Sequence, residues 1–141
     1  MHSIIHETMK KIVILSLFII SAAAFYSCIS NKGIWDDNIH LSIKSADFNA
    51  AGDSVIIKTE GISWWLSDIS ADTANYYDFR GLDLLADKYS IQRDDILVER
   101  RDKNTLFVKA DANPLNSKRI ITVWLEAGDY FDSVTITQNS K

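Results

Sequence analysis

Residues 118–138 read Lys118-Arg-Ile-Ile-Thr-Val-Trp-Leu-Glu-Ala127, then Gly128-Asp129, then Tyr130-Phe-Asp-Ser-Val-Thr-Ile-Thr-Gln138. Gly-Asp between two β-branched runs is a two-residue hairpin signal, because glycine accepts the positive φ that a primed turn needs. A loop at Gly128-Asp129 pairs Ala127 with Tyr130 and fixes everything behind it. Val123 then faces Val134, Ile121 faces Ile136, and Thr122 faces Thr135 between them. Like meets like on both faces, and a slip of one residue would destroy the match. The hairpin thus presents one apolar face to a core, as a component of a β-sandwich.

Working upstream, the same alternation recurs. Ile39, Leu41 and Ile43 predict a half-buried first strand, with Phe48 continuing it after a kink. Ala51-Gly52-Asp53 predicts a turn, and Val55, Ile57 and Thr59 the inward positions of a second strand. In a third strand Ile62, Trp64 and Leu66 share the inner face, which turns Trp65 outward. Ile96 and Val98 open another strand, Arg101–Asn104 turns it, and Leu106, Val108 and Ala110 return. Between these lies Ser70–Asp95, a long excursion holding Tyr76, Tyr77, Phe79, Tyr89, a helix-like fragment at Leu82–Lys88 and six aspartates. Such excursions are often functional or packed on themselves. Short strands with no βαβ rhythm predict an all-β, immunoglobulin-like antiparallel sandwich of about seven to eight strands.

The 141 residues suit one domain, and 47% hydrophobic and 11% aromatic content indicates a packed fold. The formal charge is −4. Without residues 1–27, which hold Lys10, Lys11 and Glu7, 13 basic side chains face 18 acidic ones. No basic block exists, so nucleic acid is not an expected partner.

Residues 12–25 form an apolar run preceded by Met9-Lys10-Lys11. The run is short of the roughly 20 residues that span a bilayer and suits a secretory signal. Met9 is an alternative start, since Met-Lys-Lys supplies the positive segment directly. Cys28, the only cysteine, follows in Phe25-Tyr26-Ser27-Cys28. This resembles a bacterial lipoprotein signal, which implies cleavage before Cys28, a lipid on its sulfur and anchoring in a membrane, with the outer membrane as the expected location. The alternative is ordinary cleavage after Ala22-Ala23-Ala24. Residues 28–37 read as a tether and 38–141 as the module, with an insertion at about residues 70–95.

The order Ser45-Ala-Asp-Phe-Asn-Ala-Ala-Gly-Asp-Ser-Val-Ile-Ile-Lys-Thr59, then Trp64, Leu106-Phe-Val-Lys-Ala-Asp-Ala-Asn113, Arg119-Ile-Ile-Thr-Val123 and Val134-Thr-Ile-Thr-Gln138 resembles the BACON domain (Bacteroidetes-associated, carbohydrate-binding, often N-terminal). That resemblance implies an immunoglobulin-like sandwich, company with lipoproteins and glycoside hydrolases, and carbohydrate binding or a spacer role. This chain departs from the family in having Ile96 where a second tryptophan is usual, Arg101–Asn104 in place of a Ser/Gly-rich turn, and a larger insertion.

Catalysis finds little footing. Downstream of residue 27 there is one histidine, His40, so Ser-His-Asp and Cys-His sets lack a second member. Asp36-Asp37 and Asp94-Asp95 are adjacent pairs, and neighbours on a strand point to opposite faces. No zinc-ligand cluster occurs, and Asp72, Asp78, Asp83, Asp87, Asp94 and Asp95 lack the spacing of a calcium loop. No catalytic residue, metal or cofactor is therefore expected. The aromatics are the candidate binding residues: Trp124 and Phe131, diagonal neighbours on the hairpin's outer face, with Ile120 extending the stripe, and Trp65, Tyr76 and Tyr77 as a second patch. Exposed rings stack on the C–H face of a sugar while acids, Arg and Asn bond its hydroxyls. The competing expectation is that Ser70–Asp95 folds over Trp124 and Phe131 and leaves Trp65 as the exposed ring. The sequence thus predicts a non-catalytic envelope lipoprotein that binds glycan; the alternative is a structural or protein-interaction subunit.

Overall fold

The computed structural model describes residues 36–141; the signal, Cys28, Trp35 and most of the tether lie outside them. Nine strands follow in chain order: β1 (Ser45–Phe48), β2 (Asp53–Lys58), β3 (Trp65–Ala71), β4 (Ala74–Tyr76), β5 (Tyr89–Arg93), β6 (Ile96–Asp102), β7 (Thr105–Ala110), β8 (Arg119–Ala127) and β9 (Tyr130–Gln138). They form a five-stranded sheet, β1-β9-β8-β3-β4, and a four-stranded sheet, β2-β7-β6-β5. All pairings are antiparallel except β1 with β9. This is an all-β sandwich, of an architecture that fits the immunoglobulin-like expectation.

The terminal hairpin has the anticipated register, Val123 with Val134, Ile121 with Ile136 and Ala127 with Tyr130. Gly128 supplies the turn's positive φ of 64°. The inner faces alternate faithfully: Ile121, Val123, Leu125, Val134 and Ile136 from one sheet meet Ile57, Val98, Leu106 and Val108 from the other, all buried. Trp64 is buried with them, as its alternation predicts. Its indole N–H donates to Thr59 Oγ1 at 2.9 Å.

Several local expectations fail for identifiable reasons. Residues 39–43 do not form a strand; only Leu41 bridges to Thr59. The Asp37 carboxylate accepts the N–H groups of Ile39 and His40, and His40 takes a φ of 51°, so the chain turns where it was expected to extend. Ile39 still plugs the core, while Ile43 lies at the surface. Gly61 permits this entry, because a Cβ there would stand 1.9 Å from the Asn38 carbonyl oxygen. Ile62 is exposed rather than inward, since β3 begins only at Trp65. A bulge between Leu66 and Asp68 then moves the inward position to Ile69.

Leu82–Lys88 forms turns and no helix. Gly81 at φ 88° and the Asp83 carboxylate on Leu85 N–H each close a local turn that does not propagate. Nor is Ser70–Asp95 a simple insertion. It contains the end of β3, all of β4 and β5, and Phe79, which is buried in the core. These short edge strands raise the count to nine.

Two buried polar clusters brace the ends. Gln138 is wholly buried; its amide carbonyl accepts Arg119 Nη2 at 2.6 Å, and its NH2 donates to the carbonyls of Asn49 and Asp111. Arg119 Nη1 also meets Asp95 Oδ2 at 2.6 Å. At the other end Arg100, 3% exposed, lies with its guanidinium carbon 4.2 Å from the Trp64 ring centroid.

Candidate binding face

The outer face of the five-stranded sheet is the strongest candidate, and register alone builds it. Trp65 pairs with Glu126, and Glu126 with Phe131, which makes one cross-strand row over β3, β8 and β9. The next row is Asp68, Trp124 and Ser133. Residues directly paired point to the same side of a sheet, so Trp124 is flanked diagonally by Trp65 and by Phe131. Ser70, Thr122 and Thr135 continue the face, and Ile120 lies beyond them.

Trp124 is 39% and Phe131 54% exposed, whereas Trp65 is half-buried. That reverses the expectation of a roof over Trp124 and Phe131. The physical reason is topological: residues 77–88 run from β4, an edge of one sheet, to β5, an edge of the other. They therefore pass around the side of the sandwich, and Leu85 lies in the cleft beside Trp65.

Trp65 also does not share a patch with Tyr76 and Tyr77. Tyr76 pairs with the inward-facing Ile69, packs at the edge of the core and donates its hydroxyl to Asp94 Oδ2 at 2.6 Å. That hydrogen bond holds the Tyr76 phenol above its ordinary range. Tyr77 is highly exposed and lines a separate cleft of about 460 Å³ with Asn75, Tyr76, Asp78 and Arg93. The structure thus brings Trp65, Trp124 and Phe131 together and places Tyr76 and Tyr77 apart.

Polar groups sit between the rings, and these were not singled out from sequence. Glu126 lies in the Trp65–Phe131 row, and Asp68 and Ser133 flank Trp124. Asp68 Oδ1 is buried and, among the described residues, has no hydrogen-bond partner. Glu126 follows from the same alternation that exposes Trp124. Asp68 does not, because the bulge sets its side.

The six aspartates of the 70–95 stretch are dispersed among local tasks. Asp72 accepts Ile120 N–H, Asp78 pairs with Arg80, and Asp83 caps Leu85. Asp87 approaches Lys103 at 3.8 Å, Asp94 holds Tyr76 and Asp95 holds Arg119. Among the described residues no group of three or more His, Cys, Asp or Glu is placed to hold a metal ion. Among them also, no helix is long and apolar enough to cross a membrane.

No family model matches the chain, and no curated protein sequence matches it. The fold is similar to the NMR structure of a protein from Bacteroides thetaiotaomicron, with a TM-score of 0.61 and 22% identity. The match covers 79% of this chain and 94% of that one, and at such identity it speaks to the fold.

Proposed function

We propose that this chain is a non-catalytic, BACON-like binding module of the cell envelope, and that the outer face of β3, β8 and β9 binds glycan. The observation that carries this reading is the diagonal set Trp65, Trp124 and Phe131 on one open face, interleaved with Glu126, Asp68 and Ser133. A pyranose ring has an apolar C–H face and a rim of hydroxyls. Indole and phenyl rings offer the surface for the first, and carboxylates and a hydroxyl offer acceptors for the second. A continuous apolar stripe would suit a dry protein interface instead, and here an acid stands in each of the two rows that hold the rings.

Titrating the full-length chain with neutral oligosaccharides tests the face. Trp124→Ala and Phe131→Ala should each weaken binding about tenfold or more while the protein stays folded, with Phe131→Ala costing less stability because its ring is 54% exposed against 39% for Trp124. Substitutions that lower Tm strongly without altering binding would refute the assignment. Anchoring at Cys28 is part of the same proposal: the exported protein should enter the detergent phase, and Cys28→Ala should leave it in the aqueous phase. Equal partitioning of the two forms would remove the anchor and leave the binding face untouched.

A further inference from the structure

Beside Trp65 the sandwich opens into a cleft of about 280 Å³ lined by Ile62–Trp65, Leu85, Asp87, Arg100 and Lys103. Arg100 occupies an inward position of β6, where Ile96 and Val98 precede it, and is 3% exposed. Its Nη1 donates to the Trp64 carbonyl at 2.6 Å, and Nη2 donates to those of Ile62 at 2.8 Å and Lys103 at 3.4 Å. Its Nε has no hydrogen-bond partner among the described residues. Nor does Arg100 pair with any carboxylate among them.

Carbonyl dipoles and the Trp64 ring solvate this guanidinium but supply no formal negative charge, and a buried unpaired cation is a costly arrangement. Lys103 adds a second cation, balanced among the described residues only by Asp87 at 3.8 Å. The cleft therefore carries an excess of positive charge, while Glu126 and Asp68 make the adjoining sheet face acidic. Trp65 belongs to both, lining the cleft and standing in the Glu126–Phe131 row.

We propose that this cleft receives an anionic group, a uronate carboxylate or a sulfate ester, from an acidic sugar residue whose neighbour rests on Trp65. The assignment builds on the glycan reading and narrows its ligand class. The acidic face repels the charge and the cleft attracts it, so the two together fix which way the saccharide lies. Lys103 contacts the anion at the rim, and Arg100 provides the field from beneath.

The test is isothermal titration of the full-length chain with an oligogalacturonate, its fully methyl-esterified form and a sulfated galactan oligosaccharide, at low and high salt. The free acid should bind about tenfold more tightly than the ester at low salt, and salt should shrink that advantage. Lys103→Gln, at an exposed position, should abolish the advantage and leave the ester's affinity unchanged. Preference for the sulfated ligand over the uronate would assign the group as sulfate within the same site. Equal affinity for acid and ester, or an advantage that survives Lys103→Gln, overturns the proposal alone, provided Trp124→Ala still weakens the ester. If Trp124→Ala leaves ester binding unchanged, or if no saccharide binds, the glycan face and the anion cleft fall together.

Discussion

Replacing Trp64 with alanine removes the largest side chain of the interior and the lid on Arg100. The indole is buried, its N–H is bonded to Thr59 Oγ1, and its ring carries the guanidinium at 4.2 Å. Truncating a buried tryptophan costs about 3–5 kcal/mol. The upper part of that range applies here, because Arg100 would also lose a desolvated cation–π contact of roughly 2 kcal/mol. For a domain of this size the loss corresponds to a fall in Tm on the order of 20 °C or more. Domains commonly hold only about 5–15 kcal/mol in total, so the variant should stand close to unfolding at room temperature. Urea denaturation followed by circular dichroism reads the change, with the midpoint moving and the slope preserved. Trp64→Phe gives a milder companion, keeping a ring for Arg100 and losing the N–H. Trp64→Leu, which removes the ring, isolates the ring–cation term when combined with Arg100→Met in a double-mutant cycle. A cost below about 1 kcal/mol for Trp64→Ala would refute the reasoning, since no collapse of the site could hide so large a loss.

Two further outcomes follow from the geometry. Gly61→Ala should destabilise by about 2 kcal/mol, since its Cβ would lie 1.9 Å from the Asn38 backbone oxygen and the backbone there must shift to admit it; a neutral effect in thermal melts would show that the Asn38 segment yields freely. Asp102 accepts the N–H of Asn104 and the hydroxyl of Thr105, and these bonds, in that order, hold its carboxyl below the usual aspartate range. Its folded-state value being the lower one, its stabilisation is present above the unfolded-state value and disappears as pH falls through the folded-state value. Asp102→Asn should therefore flatten the acid side of the stability–pH profile, and parallel profiles for the two proteins would contradict this role.

The sequence is legible wherever side-chain period and turn chemistry agree. β8 and β9 show both at once, with Gly128 in the turn and β-branched residues alternating behind it, so their register could be written residue by residue. β2 and the burial of Trp64 follow by the same rule. Legibility ends where backbone features without a hydropathy signature intervene. The bulge after Leu66 changes which residues of β3 face inward and so conceals Asp68 as a neighbour of Trp124. The positive φ of His40 breaks an alternating run that otherwise reads as a strand. Arg100 and Arg119 occupy inward positions in phase with Ile96 and Val98, and with Ile121 and Val123. The period was visible there, but a charged residue in an inward slot signals either a surface strand or a buried polar cluster, and only tertiary partners decide. The exposure of Trp124 and Phe131 depended on the route of residues 77–88 around the sheet edge, which no local pattern encodes.

The single parallel pairing, β1 against β9, has a consequence for how the chain assembles. Ser45 aligns with Thr135, 90 residues later, and β9 lies between β1 and β8 within the sheet. Until β9 is in place, β1 has no strand to pair with, β8 presents one open edge, and Asn49 lacks the Gln138 amide that ties it down. Contacts of such long sequence separation place this among the slow-folding β topologies, with loop closure completed before the contacts that reward it. A chain that stops before β9 holds every strand of the four-stranded sheet but only the β8-β3-β4 part of the other. The five-stranded sheet forms only once β9 is present, and a truncation before β9 costs it two strands rather than one, β9 itself and the β1 that β9 holds.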